Sequence, residues 1–241
     1  MIIAGKSVLV TGANRGIGKA LVEEALTRGA SRVYAGTRQP LSHPDERVTP
    51  VTLEVTDAGQ IAAAAAQVGE LDLLINNAGI VAPDDLTDRA LIERMFAVNF
   101  YGVHDTIQAF LPALTRSGGA IANNISVNAF AAFPLVAAYS TSKAATFALT
   151  QALRAQLAPR GISVHAILTG LVDTDMTAGF DLEKAPPQLV AAGVFDGIEK
   201  GEEDIFPDPM SIPLAEDWRN GSGKGLERQY AAMYAAFTQQ G

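Results

Sequence analysis

Short apolar runs alternate along the first two-thirds of the chain with longer segments whose apolar residues recur every three or four positions. The first pattern predicts buried β-strands, and the second predicts helices with one apolar face. Six strands are predicted at residues 7–10, 32–35, 48–53, 71–75, 119–125 and 162–168. Helices are predicted at residues 16–28, from the N-cap Asp57 to Val68, at 88–115 and at 139–158.

This alternation predicts right-handed βαβ units and therefore a parallel sheet in an α/β domain. The sequence shows neither an internal repeat nor a linker between domains. The pattern loosens after Thr169, where prolines and glycines become frequent. Within this part, residues 204–206 predict a seventh strand at the sheet edge, and residues 225–238 predict a terminal helix. The acidic stretch 214–225, which contains the single tryptophan, has no evident structural reason in the sequence.

Composition and charge narrow the class of protein. Hydrophobic residues make up 48% of the 241 positions and charged residues 18%, which argues against a disordered chain. The net charge of −8 disfavours nucleic acids and anionic membrane surfaces as partners. Because there is no cysteine and the three histidines are scattered, we expect neither a disulfide nor a metal site. No signal peptide and no apolar stretch of the ~20 residues of a membrane span are evident, so we expect a cytoplasmic protein.

A glycine-rich turn follows the first predicted strand and opens the first predicted helix. Its glycines are Gly12, Gly16 and Gly18. Glycines permit a sharp turn and close approach of a diphosphate, and the helix N-terminus offers free N–H groups and a positive dipole end. The spacing differs from the usual G-x-G-x-x-G pattern. Taken alone, the turn could equally be a tight connection that binds nothing.

Ser126, Tyr139 and Lys143 form a second candidate constellation. Tyr139 and Lys143 stand four residues apart on one predicted helix and therefore share a helix face. A lysine ammonium near a tyrosine hydroxyl is expected to lower the pKa of the tyrosine, which suits a general acid/base. A serine hydroxyl at the end of the fifth strand could hydrogen-bond a substrate oxygen. A Tyr-x-x-x-Lys pair alone is more often an ordinary pair on a helix surface.

Together with Asn76-Asn77-Ala78-Gly79, these motifs resemble the short-chain dehydrogenase/reductase family, in particular its bacterial NADPH-dependent carbonyl reductases. The resemblance covers residues 6–176 and includes the spacing between Ser126 and Tyr139. It implies a Rossmann-like three-layer α/β fold with a mostly parallel seven-stranded sheet. One domain would span residues 1–241, with a substrate loop at about 169–200 and a C-terminal extension at about 207–241.

The resemblance also implies roles for individual residues. Ser126, Tyr139 and Lys143 match the catalytic residues of the family, and Asn99 matches the asparagine that helps to hold a proton-relay water near the lysine. Thr174 matches the threonine that contacts the nicotinamide carboxamide. The full set of implied cofactor-binding residues is Gly12, Asn14, Arg15, Gly16, Ile17, Gly18, Thr37, Arg38, Glu54, Val55, Asn77, Ala78, Gly79, Tyr139, Lys143, Gly170, Val172 and Thr174.

NADP(H) is the expected cofactor, with NAD(H) as the alternative. Family members that prefer NAD usually carry a carboxylate at the end of the second strand, where this chain has Arg38. Arg38 and Arg15 could instead contact a 2′-phosphate. Two positions depart from the family. Glu54 stands in place of an aspartate that meets the adenine, and Thr169 replaces a proline, which leaves the following loop freer.

Apolar residues in the two segments that usually wall the substrate site predict a hydrophobic substrate. They are Phe130, Phe133, Leu135, Val136, Leu171, Met176 and Phe180. Some of them could instead pack in the core or at a subunit interface. The resemblance further implies a homodimer or homotetramer that associates through helices 88–115 and 139–158.

The expected function is therefore hydride transfer between NADP(H) and a hydrophobic ketone, aldehyde or secondary alcohol, with Tyr139 as general acid/base. The physiological direction, reduction or alcohol oxidation, stays open. The alternative from a different class is a non-catalytic NADP(H)-binding sensor that uses the same fold.

Overall fold

The computed structural model describes residues 1–39 and 41–238, in which a seven-stranded sheet forms the centre. Its strand order is β3-β2-β1-β4-β5-β6-β7, and neighbouring strands are parallel. All seven predicted strands are confirmed, including the short one at the edge. Their bounds are β1 Ser7–Thr11, β2 Arg32–Thr37, β3 Val48–Thr52, β4 Leu73–Asn76, β5 Ala120–Asn124, β6 Ser163–Ile167 and β7 Asp204–Ile205.

Helices cover both faces of this sheet. Side chains of β1 show why, because Leu9 packs into one apolar cluster while Val8 and Val10 pack into the other. Helices α1 and α6 cover the face of Val8, and α2, α4 and α5 cover the face of Leu9. The helix bounds are α1 Gly16–Thr27, α2 Ala58–Val68, α3 Arg89–Phe96, α4 Gly102–Ser117, α5 Ala137–Leu157, α6 Pro187–Lys200, α7 Leu214–Asn220 and α8 Ser222–Thr238.

The predicted three-layer Rossmann-like fold is thus confirmed. Its strand order reverses between β1 and β4, and in open α/β sheets this is the point where a crevice opens at the carboxyl ends of the strands. Within the described residues, no helix combines the length and apolarity that crossing a bilayer requires.

The prediction of one continuous helix over residues 88–115 is wrong. The helix is interrupted by a π-helical turn at Ala97–Tyr101, which separates α3 from α4. A polar contact accompanies the interruption, because the Thr146 hydroxyl donates to the carbonyl oxygen of Asn99 at 2.7 Å. Hydrophobic periodicity cannot reveal such a bond, and π-helical turns often mark functional positions.

The predicted substrate loop at about 169–200 is also only partly a loop. Its second half forms α6, which packs on α1 through Val190, Val194 and Phe195. The adjacent prolines 186 and 187 suggested a break, but proline is favoured in the first turn of a helix because its missing N–H has no partner there anyway. The terminal helix begins at Ser222 rather than at 225. Residues 239–241 of the predicted extension lie outside the described residues.

A buried ion-pair network attaches the C-terminal helices to the sheet. Lys224 of α8 is only 2% exposed, and its ammonium lies 2.6 Å from an Asp204 carboxylate oxygen and 3.0 Å from one of Glu227. The Arg154 guanidinium of α5 pairs with the same two carboxylates, and the Trp218 indole N–H donates to Asp204 at 2.9 Å. The contacts of Trp218 and Lys224 with Asp204 therefore explain the stretch 214–225, because they anchor α7 and α8 to the sheet.

The charge of Asp204 contributes to this anchoring. Burial alone would raise the pKa of its carboxyl, but Arg154 and Lys224 outweigh that effect and hold the pKa below its ordinary value of 3.8. A lowered pKa in the folded state stabilises the fold at pH values above 3.8, and this contribution is lost as the pH falls through the folded-state pKa.

Lys224→Met tests the network. Because the change removes a cation from carboxylates that stay buried, we expect it to lower the free energy of unfolding by about 3 kcal/mol. Urea denaturation followed by circular dichroism measures the effect. Lys200→Met, on an exposed lysine at the end of α6, is the matched control and should change stability by less than about 0.5 kcal/mol. Equal stabilities of the two variants would contradict the proposed anchoring.

Candidate active site

The glycine-rich turn joins β1 to α1 in a backbone shape that only glycine adopts easily. Gly12 and Gly16 have positive φ angles of 67° and 51°. A Cβ on Gly18 would overlap the carbonyl oxygen of Gly12, so the helix packs directly on the turn. The N–H groups of the first turn of α1 are thereby presented to the crevice, as a diphosphate requires.

Asn77 fastens this turn to the neighbouring strand. Its side-chain nitrogen donates to the carbonyl oxygens of Thr11 at 3.0 Å and Gly12 at 3.3 Å. The hydroxyl oxygen of Thr11 in turn accepts from the backbone N–H groups of Asn77 and Ala78, each at 3.0 Å. The side chain of Asn77 is thus engaged with the protein, and its backbone and neighbours line the crevice.

Ser126, Tyr139 and Lys143 line the same crevice. Ser126 follows β5, and Tyr139 and Lys143 lie one turn apart near the start of α5. The Lys143 ammonium lies 5.6 Å from the centroid of the Tyr139 ring and donates to the carbonyl oxygen of Asn124 at 2.7 Å. The predicted constellation therefore lies together in space.

Burial controls the acid–base properties of this pair. Desolvation raises the pKa of Tyr139 from 10.0 to about 12, against the lowering effect of a hydrogen bond with Ser126. Desolvation also lowers the pKa of Lys143 from 10.5 to about 8. The expectation that Lys143 lowers the pKa of Tyr139 is therefore not met in this structure, because the loss of water around the hydroxyl outweighs the other effects.

Asn99 lies behind the crevice and does not line it. It is fully buried in the π-helical turn, and its side chain accepts from the Ile80 N–H at 2.9 Å and donates to the Ile80 carbonyl at 3.0 Å and to the Ser142 hydroxyl. Gly79 separates it from the crevice, since a Cβ there would lie 3.3 Å from Asn99 Oδ1 and 3.6 Å from Lys143 Nζ. Its role beside a relay water stays a prediction.

The remaining predicted residues line one cavity of about 1000 Å³. All eighteen residues predicted to bind the cofactor line it, together with Ser126. It is therefore large enough for a dinucleotide and a small substrate together. In the described part of the chain, no group of three or more histidine, aspartate or glutamate side chains is placed to hold a metal ion.

Both arginines at the adenosine end face a carboxylate, which the sequence did not indicate. Arg15 forms an ion pair with Asp175 at 2.9 Å, and the Arg38 guanidinium lies 3.8 Å from a carboxylate oxygen of Glu54. Arg15, Asp175 and Arg38 are each at least 65% exposed. Exposed pairs contribute little, about 0–1 kcal/mol, so neither arginine is firmly held.

The structure divides the predicted apolar wall, whose role toward a substrate stays a prediction. Five of the seven predicted residues line the cavity: Phe133, Val136, Leu171, Met176 and Phe180. Phe130 does not, because its ring stacks on Trp218 at 4.6 Å and contacts Phe147 in a separate cluster. Leu135 is 60% exposed outside the cavity. Phe130 and Leu135 are thus corrections to the predicted wall.

Asn124 and Met210 are among the lining residues that the sequence analysis missed. Asn124 sits at the end of β5, where its side-chain nitrogen donates to Asn77 Oδ1 at 3.0 Å. A polar residue in an apolar strand signals a buried hydrogen bond, so this one could have been suspected. Met210 reaches the cavity from the segment after β7, and no local pattern indicates that.

Comparisons with known proteins show which family the chain resembles. Residues 6–185 match the family model described as short chain dehydrogenase. An uncharacterised oxidoreductase of Staphylococcus aureus (strain MW2) is 34% identical over 211 residues, which span 80% of this chain and 90% of the relative. A short chain dehydrogenase from Burkholderia cenocepacia J2315, solved in complex with NADP, has a TM-score of 0.87 and 35% identity, covering 95% of this chain and 98% of that one. ElxO with NADP bound has a TM-score of 0.72 and 25% identity, covering 80% and 90%.

The chain therefore belongs to the short-chain dehydrogenase family. It is an oxidoreductase of that type, and the resemblance seen in its motifs is confirmed.

A spectroscopic titration tests the effect of burial on Tyr139. The difference in ultraviolet phenolate absorbance between the wild type and Tyr139→Phe isolates this residue in the cofactor-free protein. We expect its ionisation above the ordinary pKa of 10.0, toward about 12. Ionisation below 10.0 would show that the charge of Lys143 dominates over desolvation.

Proposed function

We propose that the protein transfers a hydride between NADP(H) and a hydrophobic ketone, aldehyde or secondary alcohol, with Tyr139 as general acid/base. The observation that carries this proposal is that Ser126, Tyr139 and Lys143 line the same cavity as the glycine-rich turn. A nucleotide site alone would fit many proteins. A proton-transfer group at its other end fits a redox reaction at a carbonyl carbon.

Tyr139 is suited to donate a proton. With its pKa raised to about 12, the hydroxyl is protonated at neutral pH and can give its proton to a carbonyl oxygen as charge develops there. Ser126 would donate a hydrogen bond to the same oxygen and so orient it. These features favour the reductive direction, in which the bound nicotinamide supplies the hydride.

Lys143 supports the phenolate that remains after proton transfer. Its ammonium lies 5.6 Å from the centroid of the Tyr139 ring, and Lys143 as a whole is 5% exposed. Water therefore screens its charge little. With a pKa lowered to about 8, Lys143 is mostly protonated at neutral pH, yet it can release its proton with little cost. A lysine of this kind can help to return a proton to Tyr139.

The residues at the adenosine end fit a nicotinamide dinucleotide. The positive φ angles and the packed Gly18 leave room for a diphosphate above the N-terminus of α1. Arg38, which is 71% exposed at the end of β2, is free to turn toward a 2′-phosphate. The two related structures that contain NADP support this choice.

The cavity wall supports a hydrophobic substrate. Phe133 and Phe180, whose ring centroids are 6.3 Å apart, line the cavity together with Met176. Apolar and aromatic side chains of this kind bind substrates by burial of apolar surface.

Tyr139→Phe tests the proposed chemistry. Since only the hydroxyl is removed, turnover of aryl ketones and aldehydes with NADPH should fall at least about 100-fold. NADPH binding, measured by fluorescence titration, should stay within about twofold, because less than 0.5 kcal/mol of binding is lost. Tyr230→Phe, on an exposed tyrosine of α8, is the control. Undiminished turnover in Tyr139→Phe would refute Tyr139 as the general acid/base. If the wild type binds NADPH tightly but turns over none of these substrates, the result would favour the non-catalytic sensor.

Arg38→Ala tests the choice of cofactor. Loss of a charge-assisted phosphate contact should lower kcat/KM with NADPH by about tenfold or more and leave kcat/KM with NADH nearly unchanged. Arg32→Ala, on an exposed arginine of the same strand, should change neither value. Equal efficiency of the wild type with both cofactors would overturn the proposed preference for NADP(H).

A further inference from the structure

The loop that follows β6 frames the nicotinamide end of the cavity. It begins at Thr169, where the family usually has a proline, and its residues Gly170, Leu171, Val172 and Thr174 all line the cavity. A proline would restrict this backbone by itself, whereas threonine does not. Some other part of the chain must therefore hold the loop in place.

Asp208 holds it. One carboxylate oxygen of Asp208 accepts from the backbone N–H of Gly170 at 2.8 Å and from the Ser211 hydroxyl at 3.0 Å. The other oxygen accepts from the backbone N–H groups of Met210 at 3.1 Å and Ser211 at 3.0 Å. Four donors thus converge on a carboxylate that is fully buried.

This carboxylate is stabilised by hydrogen bonds rather than by a cation. Across residues 1–39 and 41–238, Asp208 takes part in no ion pair. Burying a carboxylate is costly unless its lone pairs are satisfied, so the geometry of the four donors is tightly constrained. Gly170 is the one donor that comes from the cavity loop.

A close backbone contact accompanies the hydrogen bond. A Cβ on Gly170 would lie 2.6 Å from Asp208 Oδ1 and 2.6 Å from the Cβ of Met210. The absence of a side chain at Gly170 is therefore required by the segment after β7 and is independent of any cofactor. The same segment places Met210 in the cavity wall.

The other side of the loop is held by β5. The carbonyl oxygen of Thr169 accepts from the Val127 N–H at 3.0 Å, and the Thr169 hydroxyl lies 3.4 Å from Asn124 Oδ1. Asn124 therefore contacts the loop at Thr169, and Asp208 binds the next residue, Gly170.

We infer that Asp208 is a positioning residue that takes the place of the missing proline, fixing Gly170 at the start of the cavity loop and Met210 beside it. Asp208 lies outside residues 6–185, which the family model matches. The effect on catalysis rests on the proposed function, whereas the effect on the loop does not.

Asp208→Asn tests this role, because the amide keeps the shape but offers one acceptor oxygen to two pairs of donors. In the cofactor-free protein, hydrogen exchange of the Gly170 amide should become at least about tenfold faster, since its hydrogen bond is weakened or lost. The Kd for NADPH should rise, and kcat/KM should fall by about tenfold or more because the loop is misplaced. Asp217→Asn, on an exposed carboxylate of α7, should match the wild type in every measurement.

The exchange measurement separates this inference from the proposed function. Gly170 exchange that stays at the wild-type rate in a folded Asp208→Asn protein overturns the positioning role, even if turnover falls. Faster exchange supports it, even if no substrate is turned over by the wild type. If Asp208→Asn does not fold, Ser211→Ala takes its place. It removes one donor to the same carboxylate and should give a smaller increase in Gly170 exchange, and an unchanged rate there overturns the inference.

Discussion

The side-chain hydrogen bond from Asn124 to Asn77 connects the parts of the site that the sheet itself leaves apart. Parallel strands bring their carboxyl ends to one edge, but the loops that follow them have no backbone ladder to hold them. Asn77 also holds the Gly12 carbonyl, and the carbonyl oxygen of Asn124 receives the Lys143 ammonium at 2.7 Å. The glycine turn, the end of β4 and helix α5, which carries Tyr139 and Lys143, thus form one unit. Because each of these amides is desolvated in part, loss of one partner leaves another polar group unsatisfied.

The same enclosure determines the acid–base chemistry. A tyrosine in water would need a nearby cation to work as a base at neutral pH, but removing water disfavours its phenolate and also disfavours the lysine ammonium. Both effects act here, and they bring the pKa values of Tyr139 and Lys143 to about 12 and about 8. The protonated phenol is then the resting form at neutral pH. In the proposed reduction, donation of its proton to a substrate oxygen would be favoured only when negative charge develops at that oxygen, which is the condition for acid catalysis.

The sequence predicts those features that local residues decide, and the contacts between distant segments decide the others. Apolar runs and glycine positions were sufficient for all seven strands, and motif spacing placed Ser126, Tyr139 and Lys143 in one site. The π-helical turn was not predictable, because nothing in the local pattern indicates the bond between Thr146 and Asn99 that accompanies it. Phe130 is an aromatic residue of the kind that lines a substrate site, yet its ring packs on Trp218. These two failures involve partners at least about 45 residues away, beyond the reach of periodicity.

The C-terminal part shows how a site can extend beyond the residues that define its family. Residues after β7 supply Met210 to the cavity and Asp208 to the loop, but such a segment can frame a cavity only if its own position is fixed. The buried Lys224 provides that fixation, since its pairing with Asp204 fastens α8 beside the last strand. An acidic chain can bury this lysine because carboxylates are available to surround it. The buried charge network therefore helps to fix the segment that supplies Met210 to the cavity wall. The shape of this part of the cavity depends on residues that carry no recognisable motif.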